Sequence, residues 1–73
     1  MQTMPALHEI TTHDLVELTE AIDGIPAGAR GGVLELRDDG RAMVEITSLP
    51  YLNAVDRIVF PPLEALRKTH SCP

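Results

Sequence analysis

The chain has 73 residues with 11 acidic and 6 basic side chains, a net charge of −5 when its histidines are neutral. At that length it forms one domain near the lower limit of independent folding, and an apolar content of 44% favours a packed core over wholesale disorder. No run of roughly 18 uncharged apolar residues is present, which excludes a transmembrane helix, and a single cysteine, Cys72, excludes an internal disulfide framework. The opening Met1-Gln2-Thr3-Met4-Pro5 has neither a basic n-region nor an apolar h-region, so the cytosol is the expected compartment.

In chain order, residues 1–11 read as a flexible lead-in, polar, broken by Pro5 and without a clean period. Residues 12–24 admit two readings. Leu15, Leu18 and Ile22 share one helical face, with Thr11 or Thr12 as a cap and Gly24 as a stop. Alternation instead makes Asp14-Leu15-Val16-Glu17-Leu18 a short strand whose Val16 and Leu18 point the same way. Periodicity slightly favours the helix, and the residues alone leave the choice open.

The next ten residues, 23–32, hold four glycines and Pro26, which predicts a loop with positive φ or close backbone approach. A phosphate-cradling P-loop would need Gly-Lys-Ser/Thr followed by a helix; a β-rich run follows here, so that reading fails. Gly32 to Arg37 and Arg41 to Thr47 alternate and flank Asp38-Asp39-Gly40, a strong hairpin signal. The expected inner face carries Leu34 and Leu36 with Ala42, Val44 and Ile46, and leaves Glu35, Arg37, Arg41 and Glu45 in water. Ser48-Leu49-Pro50-Tyr51-Leu52-Asn53 interrupts the sheet pattern. Residues 54–60 resume it, with Ile58 and Phe60 inward and Asp56 and Arg57 at the rim. Pro61-Pro62 cannot continue a central strand, having no N–H to offer. Leu63-Glu64-Ala65-Leu66-Arg67 reads as one helical or 3-10 turn that docks Leu63 and Leu66 on the core, and residues 69–73 read as a flexible tail.

Several of these segments together carry a resemblance. Asp14-Leu15-Val16-Glu17-Leu18-Thr19-Glu20, Ile25-Pro26-Ala27-Gly28-Ala29-Arg30-Gly31-Gly32-Val33-Leu34-Glu35, Asp39-Gly40, Val44-Glu45-Ile46 and Phe60-Pro61-Pro62-Leu63-Glu64-Ala65-Leu66-Arg67 resemble a widespread bacterial family of small uncharacterised domains with an SH3-like barrel. The likeness spans residues 13–67. Gly28, Gly31 and Val33 are similar to the Gly-x-x-Gly-x-Val wiring of KOW modules in ribosomal proteins and transcription factors. The pattern also looks like the barrel domains of nitrile hydratase β-subunits and of small nitrogenase-accessory proteins. In these folds a strand precedes the glycine turn, so the resemblance implies a strand over 14–18. It implies an all-β fold, a small five-stranded SH3-like barrel over residues 12–68 with a short 3-10 or helical turn before the last strand. It brings almost no chemistry.

The residues themselves argue against most reactive chemistry. His8, His13, His70 and Cys72 are the soft metal ligands, but none falls at the short paired spacings of a structural zinc site, and solvated histidines are the plainer account. Cys72 stands two positions from the end with nothing to orient it as a nucleophile, and Ser48 and Ser71 have no evident base. Asp38 and Asp39 are adjacent carboxylates at a hairpin tip, where they serve as turn formers without a pocket to shift their acidity. No catalytic, cofactor-binding or metal-binding residue is therefore assigned.

Binding remains. One lysine and five arginines face 11 carboxylates, and two aromatics, Tyr51 and Phe60, give little stacking surface, so nucleic acid is an unfavoured ligand. If it binds, the KOW likeness points to Arg30, Arg37 and Arg41, residues otherwise read as a solvated hairpin rim. A polyproline groove or a methyl-lysine cage needs more aromatic side chains than the chain has. Protein association is the leading expectation, as an accessory subunit or a neutralising partner of a basic, toxin-like protein, free or in a hetero-oligomer. Its surface would combine an acidic half (Glu9, Asp14, Glu17, Glu20, Asp23, Asp38, Asp39) with the loop-borne Leu49, Tyr51 and Leu52. The plainer alternative is that this apolar loop folds back as a lid on the barrel.

Overall fold

A computed structural model describes residues 10–70. Among the described residues, five strands make up nearly all of the regular structure: β1 (Leu15–Leu18), β2 (Arg30–Leu36), β3 (Ala42–Ile46), β4 (Ile58–Val59) and β5 (Leu66–His70), with a 3-10 turn, Leu63–Ala65, before β5. They form one sheet in the order β4-β3-β2-β1-β5, antiparallel throughout. No helix among the described residues is long and apolar enough to cross a membrane.

β1 is extended, so alternation rather than helical period governs residues 15–18. Val16 and Leu18 are buried on one face, and Leu15 is exposed on the other. The apparent helical partner Ile22 reaches the core by a different route. Ile22 and Ile25 exchange backbone hydrogen bonds of 2.9 and 2.8 Å around Asp23-Gly24, whose φ values are +50° and +85°. This is the two-residue turn that Asp-Gly favours, and it ends any helix that Leu15 and Leu18 could start.

β2 begins at Arg30, so Arg30 and Gly31 belong to a strand and not to the expected loop, two residues ahead of the expected start at Gly32. Gly31 is there for space. A Cβ on it would stand 2.1 Å from the Glu45 carbonyl oxygen, so only glycine lets β2 and β3 cross this closely.

The expected inner face of the hairpin is corrected at two residues, Leu34 and Leu36. Val33 pairs with Val44 and Glu35 with Met43, which leaves Leu34 as the extra residue of a β-bulge. Leu34 is consequently 42% exposed, and the buried position opposite Val44 is filled by Val33. Past the bulge Leu36 pairs with Ala42, but it is 39% exposed and stays outside the core expected to hold it. The turn has a three-residue loop: the Arg37 N–H donates to the Arg41 carbonyl at 2.8 Å, and Gly40 has φ +83°.

β4 is corrected in the same way. Val59 pairs with Val44 and is buried, Ile58 lies half-buried opposite Glu45, and Phe60 is 37% exposed beyond the strand, so the inward residue is Val59 rather than Ile58 or Phe60.

One cluster holds the core: Val16, Leu18, Val33, Ala42, Val44, Ile46, Val59 and Leu66 from the five strands, joined by Ile10, Ile25 and Ala29. Among the described residues no second sheet or α-helix covers it; Ile22, Leu49, Leu52 and Leu63 from the connecting segments pack against it instead. After β4 the chain runs beside the start of β3, where the Ala42 N–H donates to Pro61 O (3.0 Å) and Arg41 bridges Pro62. The 3-10 turn then carries it to the opposite edge, where the Thr19 N–H donates to Ala65 O (2.8 Å). No ladder joins β4 to β5 among the described residues, so the sheet is open and is not a closed barrel.

Both ends of the expected domain also differ in detail. Ile10, expected in the lead-in, is buried in the core, and β5 carries Thr69 and His70, expected in the tail.

Candidate interaction surface

The segment between β3 and β4 divides its apolar residues. Leu49 and Leu52 pack against the core as a lid. Tyr51 and Val55 point the other way and are 74% and 79% exposed. The loop that holds them out is well bonded. Leu52 N–H donates to Leu49 O at 3.1 Å, and the Asn53 Oδ1 accepts the Asp56 N–H at 2.6 Å. The Arg57 guanidinium donates to Leu52 O (2.7 Å) and Asn53 O (3.3 Å) and lies 3.8 Å from Glu45 of β3. These bonds satisfy carbonyls that a loop otherwise leaves to water, so the backbone that carries Tyr51 and Val55 is held in place.

The two parts of the expected partner-binding surface lie apart. Leu49, Tyr51 and Leu52 follow β3, whereas Asp38 and Asp39 precede it at the hairpin tip, and a five-residue strand spans roughly 17 Å. Asp39 is occupied locally, its Oδ1 accepting the Arg41 N–H at 3.2 Å and its Oδ2 facing Arg37 Nε at 3.4 Å. Asp14, expected in the acidic surface, is only 2% exposed. Its carboxylate accepts from the Thr11 N–H (2.8 Å) and hydroxyl (3.1 Å) and pairs with Lys68 Nζ at 3.3 Å. Glu17 is half-buried and paired with Arg67, while Glu20, Asp23 and Asp38 are exposed. Glu9 lies outside the described residues.

The three arginines are separated too. Arg37 and Arg41 meet at the hairpin end with Phe60, the Arg37 guanidinium 5.2 Å from the ring centre and Arg41 donating to Phe60 O at 2.8 Å. Arg30 opens β2 at the far end of the same strand, roughly 20 Å away. Of the possible metal ligands, His13 is exposed with φ +76°, and His8 and Cys72 lie outside the described residues. No three His, Cys, Asp or Glu side chains come together as a metal-holding group among the described residues.

Val55 and Phe60 escaped the sequence reading because each falls in an apparently regular strand pattern. Asn53 and Asp56, both turn formers, were the signal that residues 53–57 form a turn with Val55 outermost. Comparison with family models, with curated proteins and with solved structures gives no match.

Proposed function

We propose that this chain is a non-catalytic docking module that meets another protein through Tyr51 and Val55. The exposure of these two side chains on a bonded loop after β3 carries the reading. Large apolar groups held in water by a bonded loop lose little conformational freedom when a partner covers them, and tyrosine suits the centre of such contacts. The net charge of −5 suits a basic partner, by steering encounter and rejecting acidic competitors. The strand order, and the 3-10 turn before the last strand, support an SH3-like barrel wiring for this scaffold. In that role the chain is an accessory or neutralising subunit in the cytosol.

Affinity capture from extracts of the source cells tests the reading. The wild-type chain retains a basic protein in a salt-sensitive manner, and the double variant Tyr51→Ala/Val55→Ala loses it with its melting temperature unchanged. Elution of the wild type as a lone monomer at its cellular concentration would refute docking.

A second reading, nucleic-acid contact, draws on Arg37, Arg41 and Phe60, which offer two cations and an aromatic face at one corner. Arg30 is not part of it. Titration with RNA and DNA at low salt decides, because this reading requires binding that weakens steeply as salt rises.

A further inference from the structure

A shallow concavity of about 280 Å³ opens beside Leu15, lined by Leu15, Arg30, Gly31, Thr47, Ser48 and Thr69. Its walls come from β1, β2, the segment after β3, and β5. In a chain with almost twice as many carboxylates as cations, this lining has one cation and no carboxylate.

The cation is available. Glu17 is the register partner of Arg30 across β1 and β2, yet its carboxylate is taken by Arg67 from the other neighbouring strand. Arg30 makes no ion pair among the described residues. Its backbone also fixes the hydroxyls beside it. The Arg30 carbonyl accepts the N–H groups of Thr47 (2.9 Å) and Ser48 (3.2 Å), and the Arg30 N–H donates to Ser48 Oγ at 2.9 Å. Because Ser48 Oγ serves there as an acceptor, its own proton remains free to donate outward. Thr69 brings a third hydroxyl from the β5 side.

We infer that this concavity binds a phosphate monoester. Arg30 supplies the charge-assisted hydrogen bonds, Thr47, Ser48 and Thr69 the neutral ones, and Leu15 a wall for the ligand's carbon part. Donors arriving from three separate elements suit the corners of a tetrahedral oxyanion. A planar carboxylate is satisfied by one guanidinium alone. A polymeric phosphate would need a row of cations, and Arg37 and Arg41 stand at the opposite end of β2. This inference does not rest on the docking reading, since the residues differ and the test needs no protein partner.

The test is titration of the full chain with phenyl phosphate at constant ionic strength, followed by the backbone amide resonances. Inorganic phosphate and benzoate are the comparison probes. Phenyl phosphate gives saturable shifts centred on Arg30, Thr47, Ser48 and Thr69, and binds more tightly than either comparison probe. Arg30→Gln weakens binding by roughly tenfold and Thr69→Val by a few fold, whereas Arg41→Gln leaves it unchanged. Non-saturating drift spread over all the arginines overturns the site, as does wild-type affinity in both Arg30→Gln and Thr69→Val. Benzoate binding as tightly as phenyl phosphate overturns the assignment of the ligand class.

Discussion

The Asp14 carboxylate and the Lys68 ammonium meet at 3.3 Å, the acid side chain 3% exposed and the amine 30%. The pair ties the residue before β1 to the sheet's outermost strand, and the carboxylate also accepts from the Thr11 N–H and hydroxyl in that corner. A buried acid so bonded is costly to disturb on one side only, because the remaining group keeps its desolvation cost without its compensation.

Asp14→Ala is accordingly expected to destabilise the chain by about 3 kcal/mol, because it strips both Thr11 donors and Lys68 of their acceptor. Lys68→Met, which keeps the aliphatic stem, costs less, about 1–2 kcal/mol. The double variant should lose less than the sum, since the two side chains share one interaction. Urea unfolding of the three variants measures all of this. Strict additivity would mean that the pair contributes nothing as a pair.

Gly31→Ala tests the close crossing of β2 and β3. Its methyl group would meet a backbone oxygen that cannot swing away, so the strands must part, at a cost of about 3 kcal/mol or more. Gly32→Ala is the control. Its nearest neighbour is the flexible end of Leu15 at 3.8 Å, and thermal melts should place it within about 1 kcal/mol of the wild type.

The bulge at Leu34 makes a prediction that neighbouring residues answer oppositely. Val33→Ala opens a cavity opposite Val44 and is expected to cost about 2 kcal/mol. Leu34→Ala removes an outward side chain and should cost well under about 1 kcal/mol. A reversed order in denaturant midpoints would restore the inner face first expected from the sequence.

Arg57→Lys addresses the display loop. Lysine keeps the charge near Glu45 but cannot reproduce the fork that reaches both Leu52 O and Asn53 O. Amide exchange over residues 50–57 should quicken several fold while the strands keep their protection. Unchanged exchange would show that the guanidinium does not hold the loop.

Legibility from sequence followed the locality of each signal. The Asp38-Asp39-Gly40 turn was readable because its demands are met by the three residues themselves. The strand at Leu15–Leu18 was not decided by its own residues: Leu15, Leu18 and Ile22 fit a helical period by coincidence, as Ile22 reaches the core through a turn. That Asp23-Gly24 turn carried the same dipeptide signal as the hairpin tip and was absorbed into a longer glycine-rich loop. The bulge at Leu34 and the register of β4 depend on a partner strand, and alternation within one strand cannot report them. Asp14 read as surface acid because the lysine that compensates its burial lies 54 positions away in sequence. The proposed phosphate cleft was invisible for a like reason, its lining coming together only when β1, β2, the segment after β3 and β5 are side by side.

β5 stands at the margin of the sheet, with no neighbour on its far side among the described residues. Such a margin ordinarily recruits stray strands and seeds fibres. Here the β1–β5 register slips between Leu15 and Val16, and Lys68 turns to the core side, where an incoming chain would have to bury its charge again. The lysine that neutralises Asp14 thus also discourages a further strand from pairing at this margin.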